Sequence, residues 1–487
     1  MKKYLISILF WIMAPLFLFA QSQLQPQTTT RFQATWESLD HYKVPDWLQD
    51  AKFGVFIHWG VYSVPAFGNE WYPRNMYIKE TKESQHHLNT YGPHDQFGYK
   101  DFIPLFKAEK FNAEAWVDLF VKSGFKYVVP VAEHHDGFCM YKSALTKWNA
   151  AEMGPKKDIV GELAAAARKA GLVFGVSSHR IEHWWYFNAG KKYPSDVLDG
   201  QFDDFYGPAR ENHETMTPEF MNDWLMRNIE LVNNYQPQLF WFDWWIEQPA
   251  LEPYRKSFAS FYYNKGLEWN KGVVINYKNE SFPGNSAVLD IERGKLKDIR
   301  EQAWQTDDAI GYKSWGYISN DSFKSVKYLV NNLADIVSKN GHLLLNIGPR
   351  PDGTIPEEQQ AILLGVGDWL KINGEAIYGT RPWKVFGEGP TQIAGGSFSD
   401  AKDKPFTAED IRYTTRGEIL YAIALDKPVR PLNMKHLALG KAQKIKSVEL
   451  LGSTQAVKWT QTPEGLIIQP AGSYPRDHAV VYKMSFD

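Results

Sequence analysis

The stretch "NAEAWVDLFVKSGFKYVVPVAEHHDGF", residues 112–138, places one helical pattern directly before one strand pattern. Asn112 can cap the start of an amphipathic helix, and Gly124 can end it. Residues 126–131 then form a largely apolar run, which is typical of a strand buried on both faces. Polar residues follow the run at once. The stretch therefore predicts a helix–strand unit of an α/β protein.

The same helix–strand unit recurs along most of the chain. In residues 217–245, Thr217 can cap a helix with Pro218 in its first position, and residues 238–242 form the strand. Strands that alternate with helices indicate a parallel sheet, and this number of units favours a (β/α)8-like, TIM-type barrel over an open sheet. The first strand lies in residues 52–60, and further units lie in residues 158–180, 253–277 and 321–349.

The pattern changes after residues 373–383. Helical patterns stop there, and the short alternating segments that follow are typical of a small antiparallel β-sandwich. At the other end, two lysines precede an apolar run that stops at Ala20, as in a secretory signal peptide. The predicted segments are a signal peptide at 1–20, a flexible leader at 21–30, a barrel at 31–383 and a C-terminal β-sandwich at 384–487.

The N-terminal apolar run has one alternative interpretation, a membrane anchor. The run from Tyr4 to Ala20 is barely long enough to cross a bilayer, which favours cleavage. The single cysteine, Cys139, cannot form an internal disulfide, and export without disulfides fits a large bacterial enzyme better than a small secreted scaffold. We therefore expect a periplasmic or secreted bacterial protein with no membrane attachment after cleavage.

The composition of the 487-residue chain is that of a globular protein, with 44% hydrophobic and 23% charged residues, and it excludes general disorder. The formal net charge of −2 gives no basic footprint for nucleic acid. Aromatic residues make up 15% of the chain and include 19 tryptophans. These rings either fill a large core or form platforms for sugars, and composition alone leaves both open.

The predicted barrel also predicts where the active site lies. In barrels of this type the site is at the C-terminal ends of the strands, so the polar residues that follow the strands should share one site. They are His58, Trp59, His134, His135, Asp136, Ser178, His179, Arg180, Asp243, Asn276, Glu292 and Asn346. This set is rich in acids, imidazoles and aromatic rings.

No motif in the chain predicts a metal or an organic cofactor. His134 and His135 are adjacent, so on a strand they point to opposite faces and do not converge as zinc ligands do. Residues 175–180, "GVSSHR", lack the nucleophile elbow of a serine hydrolase, and no G-x-G-x-x-G motif precedes a helix. We therefore predict chemistry that uses neither a metal nor a cofactor.

Paired carboxylates offer the remaining chemistry. The run "FWFDWW", residues 240–245, places Asp243 among five aromatic rings at the end of a predicted strand. A retaining glycosidase needs two carboxyl groups roughly 5–5.5 Å apart, a nucleophile and an acid/base. Asp243 fits the nucleophile or a cap of the next turn. Glu292 fits the acid/base or an ion pair with Arg293, and the pattern alone leaves these alternatives open.

Several longer motifs identify a family. They are "KFGVFIHWGVYSVPAFGNEWYPRNMY" (52–77), "EHHDGF" (133–138), "WFD" (241–243), "SWGY" (314–317), "DIVSKNGHLLLNIGPRPDGTIP" (335–356) and "WLKINGEAIYGTRPW" (369–383). In these motifs the chain resembles the α-L-fucosidases of glycoside hydrolase family 29, from about residue 47 to residue 383. The resemblance implies a barrel followed by a C-terminal β-sandwich, a retaining mechanism and no metal.

The resemblance also implies roles for single residues. Asp243 would be the nucleophile, and Trp241 would line the floor of the pocket. Phe242 or Trp315 would form the small apolar surface that meets the methyl group of fucose. The residues that would bind the sugar hydroxyls or lie beside them are His58, Trp59, Glu70, Trp71, His134 and His135.

The acid/base varies in position within this family. Glu292 matches the branch that has an "ERG" segment, whereas Asp321 matches a branch in which the acid follows the "SWGY" segment. We prefer Glu292 because it stands at a predicted strand end. Asp321 also fits the N-cap of the helix that follows it.

The segment "VSSHRIEHWW", residues 176–185, departs from the family pattern. Many relatives carry tyrosines where this chain has Ser177 and Ser178. We expect His179, Arg180 and His183 to supply contacts with the pocket or with the leaving group instead, and we count Ser178 among the residues that bind substrate.

The sequence thus predicts an exported retaining exo-α-L-fucosidase that removes terminal α-L-fucose from a fucosylated oligosaccharide or glycoconjugate. One alternative is an exo-glycosidase for a similar sugar such as L-galactose. Another is a fucose-binding protein without catalytic activity. The linkage preference and the oligomeric state do not follow from the sequence.

Overall fold

Eight short segments form a closed parallel barrel in the computed structural model, which describes residues 31–400 and 404–487. The strands are β1 (Phe53–Ile57), β2 (Tyr127–Glu133), β3 (Val173–Ser178), β4 (Leu239–Phe242), β5 (Val274–Tyr277), β6 (Val288–Asp290), β7 (Trp304–Ala309) and β8 (Gly341–Ile347). Each strand pairs with the next, and β8 pairs with β1 to close the barrel. The predicted (β/α)8-like barrel is confirmed.

The helices lie mainly between the strands, as the recurring unit predicts. They are α1 (Trp36–Leu39), α2 (Asp46–Ala51), α3 (Tyr72–Asn75), α4 (Lys82–Thr90), α5 (Ala113–Lys122), α6 (Ile159–Lys169), α7 (Asp203–Tyr206), α8 (Pro218–Tyr235), α9 (Glu252–Glu268), α10 (Val326–Ser338) and α11 (Glu357–Asn373). No helix in the described ranges is long and apolar enough to cross a membrane. The predicted signal peptide at 1–20 and leader at 21–30 lie outside those ranges.

Two of the predicted helix caps are present and one is wrong. The Asn112 side chain accepts a hydrogen bond at the start of α5, and Thr217 does so at the start of α8. Asp321 does not cap α10, because that helix begins at Val326 and Ser325 is its cap. The Asp321 carboxylate instead accepts backbone hydrogen bonds within the preceding loop.

The sequence pattern did not predict β7, because its residues, "WQTDDA", are mostly polar. All six are nevertheless buried. Their acids are paired with lysines from other elements: Asp307 lies 3.3 Å from Lys278, and Asp308 lies 2.5 Å from Lys324. Buried carboxylates are tolerated when they are paired in this way, so β7 can occupy the barrel without an apolar sequence.

The C-terminal region is built from antiparallel strands, as predicted. They are β9 (Arg381–Glu388), β10 (Ile411–Arg416), β11 (Ile419–Ala424), β12 (Leu432–Met434), β13 (Ile445–Leu450), β14 (Trp459–Thr462), β15 (Gly465–Ile468) and β16 (Val480–Phe486). Five form a sheet in the order β13-β16-β11-β10-β9, and three form a sheet in the order β12-β15-β14. Residues from both sheets enclose a separate apolar core. The connection from β9 to β10 is long, and it returns to the barrel.

Candidate active site

A cavity of about 520 Å³ is lined by residues that follow the barrel strands. Its position is the one predicted for a TIM-type barrel. The sequence-predicted residues that line it are His58, Glu70, Trp71, His134, His135, His179, Trp241, Asp243, Glu292 and Trp315. The structure therefore brings both preferred carboxylates and most of the expected sugar-binding residues into one site.

Trp59, Ser178 and Phe242 are predicted pocket residues that do not line this cavity. Trp59 follows His58 directly, so its side chain points the other way and packs among the aromatic side chains Phe106, Phe111 and Trp116. Ser178 is buried at the end of β3. Phe242 packs outward, against Trp224 and Phe258. These contacts belong to the core, which corrects the expectation that the three meet the sugar.

Arg180 and Asp321 also lie away from the cavity. The Arg180 guanidinium is held by Glu133 at 3.0 Å and by Asp223 at 2.9 Å, so it is not available to a leaving group. Asp321 lies in the loop that follows Trp315, where its carboxylate is bonded to the backbone of Lys313. The expected contact of Arg180 with substrate is therefore not supported by its position.

Asp243 sits in the cavity wall with only 7% of its surface exposed and with a hydrogen-bond or ionic partner on each carboxylate oxygen. His179 Nδ1 donates to Oδ2 over 3.0 Å, and the Trp244 amide donates to Oδ1 over 2.9 Å. Burial raises the pKa of Asp243, but the Lys278 ammonium and the His179 hydrogen bond outweigh burial and hold the pKa well below its usual range. The carboxylate is therefore ionised and fixed in orientation.

The two histidines next to Asp243 carry different charges. Burial lowers the pKa of His179 to about 4, so this ring is neutral, and Ser177 Oγ bonds its second nitrogen. His135 is also buried, which lowers its pKa, but the Glu182 carboxylate at 3.1 Å and Asp243 raise it to about 9. The His135 imidazolium lies 3.5 Å from Asp243 and adds a positive charge beside that carboxylate.

Lys278 is a site residue that the sequence analysis missed. Its ammonium lies 2.5 Å from Glu292, 3.3 Å from Asp307 and 3.4 Å from Asp243. Burial lowers the pKa of Lys278, but the surrounding carboxylates raise it well above its ordinary value. The strand-end rule had selected Asn276 on the same strand, yet Asn276 is fully buried and does not line the cavity. Lys278 comes two residues after Asn276, and this charged residue directly after a predicted strand was the available signal.

Asp290 and Asp307 form a second acidic pair in the floor of the cavity. The Asp307 amide donates to Asp290 Oδ1 over 3.2 Å, and Trp241 Nε1 donates to Asp290 Oδ2 over 3.1 Å. Burial and the Asp290 charge raise the pKa of Asp307 well above its ordinary value, although Lys278 opposes them. Asp290 thus fixes the Trp241 ring, and Asp307 shares the Lys278 ammonium with Asp243 and Glu292.

Replacement of Lys278 by methionine should lower kcat/KM by about 100-fold and move the acidic limb of its pH profile to higher pH. Lys278 is the strongest of the groups that lower the pKa of Asp243. Without the lysine, burial raises that pKa, so Asp243 becomes protonated and unreactive at a higher pH than in the wild type. The measurement is kcat/KM against pH from 4 to 8.

Lys278→Arg is the matched control for this variant, because it keeps the charge and should keep the acidic limb in place. Loss of a buried counter-charge costs about 3–5 kcal/mol of stability, so each variant is first shown to be folded by its thermal melt. A folded Lys278→Met protein with an unmoved acidic limb would contradict the assigned role.

The cavity wall opposite Lys278 carries polar groups that suit sugar hydroxyls. His58 Nδ1 donates to Asn346 Oδ1 over 2.7 Å, and burial holds the pKa of His58 well below its ordinary value. His134 is likewise kept neutral by burial, and its Nδ1 atom is buried without a partner among the described residues. Glu70 accepts from the Trp315 amide over 2.9 Å. Neutral imidazoles offer one donor and one acceptor each, which matches a hydroxyl group.

Two histidine-containing trios have the spacing of a metal site. In each trio, His58–His134–His179 and His135–His179–Asp243, the possible ligand atoms lie within 4.8 Å of one another. The second trio is already a hydrogen-bonded set, because His179 Nδ1 donates a hydrogen bond to the Asp243 carboxylate and His135 is protonated. A metal would have to displace those protons, so the trio fits an ionised carboxylate better than a metal.

Comparisons with known proteins show the family of the chain. The family model "Alpha-L-fucosidase" matches residues 19–375, and the model "Alpha-L-fucosidase C-terminal domain" matches residues 403–484. The tissue α-L-fucosidase of Homo sapiens is 33% identical to the chain, over 96% of this chain and 94% of its own length. The tissue α-L-fucosidase of Rattus norvegicus is 32% identical, over 96% of each. The structure of Thermotoga maritima α-fucosidase in complex with fucose has a TM-score of 0.75 and 32% identity, and covers 93% of this chain and 100% of its own.

Proposed function

The chain belongs to the α-L-fucosidase family of glycoside hydrolases, and on that premise we propose that it removes terminal α-L-fucose from fucosylated glycans by a retaining double displacement. The observation that best supports the mechanism is the position of Lys278. Its ammonium contacts Asp243 and Glu292 together, at 3.4 and 2.5 Å. Two carboxylates that share one ammonium are close enough for the roughly 5–5.5 Å separation of a retaining pair.

In the first step, an oxygen of Asp243 attacks the anomeric carbon of fucose. The bond between that carbon and the glycosidic oxygen breaks, and Glu292 gives its proton to the departing oxygen. A covalent fucosyl-enzyme results. Asp243 suits this role because its low pKa keeps it ionised, and because His179 and the Trp244 amide fix its orientation.

In the second step, Glu292 acts as a base. It removes a proton from a water molecule, whose oxygen attacks the anomeric carbon and releases Asp243. Fucose leaves with its original α configuration, and both carboxyl groups return to their starting states. Glu292 has access to water for this step, because about a fifth of its side chain is exposed, whereas Asp243 is more deeply buried.

Recognition of fucose is assigned to the wall opposite Lys278. His58, His134 and Glu70 supply neutral or acidic partners for the ring hydroxyls. Trp315 lines the same cavity and packs beside His58, so its indole offers an apolar surface for the methyl group. An L-galactose ring would place a hydroxymethyl group at that surface, where its hydroxyl would lose hydrogen bonds to water.

Export is proposed on the sequence of residues 1–20 alone, where a basic start precedes an apolar run and a small residue. The earlier alternative of a binding protein without activity is set aside, because the family is one of hydrolases and both candidate carboxylates line the cavity.

The test is the release of nitrophenol from a panel of nitrophenyl glycosides, followed by NMR of the sugar first released. We expect a clear preference for the α-L-fucoside over the α-L-galactoside and the β-D-galactoside, and α-L-fucose as the first product. Initial appearance of β-L-fucose would show inversion and contradict the double displacement. Preference for the galactoside would contradict the assigned sugar.

A further inference from the structure

A segment of the C-terminal region reaches the mouth of the active site. Residues 395–400, here called the rim segment, belong to the long connection between β9 and β10. Two of them, Ser397 and Phe398, line the same cavity as Asp243. The active site is therefore completed by residues that come more than 150 positions after the proposed nucleophile in the chain.

The rim segment is bonded to the backbone beside Glu292. The Phe398 amide donates to the Glu292 carbonyl over 2.8 Å, the Ser399 amide donates to the Arg293 carbonyl over 3.0 Å, and the Gly396 amide donates to the Lys295 carbonyl over 2.9 Å. These hydrogen bonds tie the C-terminal region to the loop that presents the proposed acid/base.

Charges fix the end of the rim segment. Asp400 lies 3.2 Å from Lys324, which is fully buried and also bonds Asp308. Asp400 lies 3.6 Å from Arg293 as well. The segment is thus anchored at its backbone and at its final side chain, so the residues between the anchors have defined positions.

Phe398 is the one large apolar residue of this segment, in the sequence "GGSFSD", and it lies in an exposed stretch, residues 395–398. The residue is 60% exposed, although the next residue, Ser399, is buried. Its backbone φ of +53° lies in the left-handed region, which is unfavourable for a bulky residue without a compensating role. An exposed phenyl ring gains little from packing, so folding alone gives no reason to hold it at the cavity mouth.

We propose that Phe398 is the platform for the sugar to which fucose is attached. This inference rests on the proposed function, because it takes Glu292 as the acid/base. Glu292 must lie within hydrogen-bond reach of the glycosidic oxygen, so the leaving sugar lies directly beside it. Phe398 is bonded to the Glu292 backbone and lines the same cavity. Its ring meets the apolar C–H face of that sugar and makes Phe398 a specificity-determining residue.

The test compares two substrates in Phe398→Ala. One is the best cleaved of four α-L-fucosyl disaccharides, with 1→2, 1→3, 1→4 or 1→6 linkages. The other is α-L-fucosyl fluoride, which has no leaving sugar and needs no acid. We expect kcat/KM for the disaccharide to fall about tenfold, as for the loss of roughly 50 Å² of apolar contact. The value for the fluoride should change by less than about twofold.

Two further variants complete the design. Phe398→Trp keeps an aromatic face and should restore disaccharide cleavage. Leu439→Ala removes an exposed apolar side chain of the C-terminal region that does not line the cavity, and both substrates should be cleaved as by the wild type. The thermal melt of each variant confirms that it is folded.

The outcomes separate this inference from the proposed function. Equal losses on both substrates would overturn the platform, because they would place the effect of Phe398 on the fucose that both substrates share. A shifted basic limb in the pH profile of disaccharide kcat/KM for Phe398→Ala would overturn it as well, because that limb reports the acid/base and the residue would then act through Glu292. Unchanged rates on both substrates would also overturn it, as would a wild type that cleaves the fluoride but none of the disaccharides. If the wild type cleaves neither kind of substrate, the proposed function itself is wrong, and the inference is wrong with it.

Discussion

Asp243→Ala should lower kcat by about 10⁴-fold or more, as nucleophile deletions do in other enzymes with covalent intermediates. Asp243 is held ionised by Lys278 and oriented by His179. The other two aspartates of the cavity, Asp290 and Asp307, are bonded to each other, and Asp290 is bonded to Trp241, so they cannot take its place. The measurement is kcat with the nitrophenyl α-L-fucoside.

Chemical rescue shows whether the loss reflects the nucleophile or the fold. A small anion such as azide can enter the space that the carboxylate leaves in Asp243→Ala, attack the anomeric carbon and form β-L-fucosyl azide as nitrophenol departs. We expect azide to accelerate the variant and to have little effect on the wild type. Near-normal turnover of a folded variant without azide would rule out the assigned role.

The fold could be predicted because its units are local. A helix pattern, the glycine that ends it and an apolar strand pattern lie within about 27 residues, as in residues 112–138. Patterns of such short range can be recognised in a single sequence. β7 shows the limit. Its acids Asp307 and Asp308 are buried only because Lys278 and Lys324 pair with them, and those lysines lie in other segments of the chain.

The site could be predicted to the level of strand ends, but not to the direction of single side chains. His58 and Trp59 are neighbours, yet only His58 lines the cavity. Arg180 follows His179, yet its charge is used by Glu133. Adjacent residues of a strand point in different directions, and only the partners in the folded chain determine which of the two faces the substrate. The expectation that His134 and His135 point to opposite faces was wrong, because β2 ends at Glu133 and both histidines line the cavity.

Phe398 was beyond sequence analysis for a different reason. It belongs to a connection between strands of the C-terminal region, where no periodic pattern marks a functional residue. Its contact with the Glu292 loop depends on backbone hydrogen bonds between residues more than 100 positions apart. Backbone groups are the same in every residue, so such pairing leaves no trace in the side-chain pattern.

Glu292→Gln should lower kcat/KM by about 10³-fold for fucosyl disaccharides, within the range of general acid–base catalysis, whereas Asp321→Asn should keep wild-type values. Glu292 lines the cavity, and its carboxylate contacts the same ammonium as Asp243. Asp321 lies outside the cavity and is bonded to the backbone of Lys313 and Ser322. The two substitutions are matched, because each replaces a carboxylate by its amide.

The dependence on the leaving group distinguishes an acid/base from a residue that only binds substrate. A sugar alkoxide is a poor leaving group and needs the proton from Glu292, whereas fluoride leaves without one. The Glu292→Gln variant should therefore lose far more activity on the disaccharide than on α-L-fucosyl fluoride in the first, fucosylating step, measured before steady state. Similar losses on both would indicate a binding role. A larger loss in Asp321→Asn than in Glu292→Gln would move the acid/base to the loop after Trp315, and it would require that loop to enter the cavity when substrate binds.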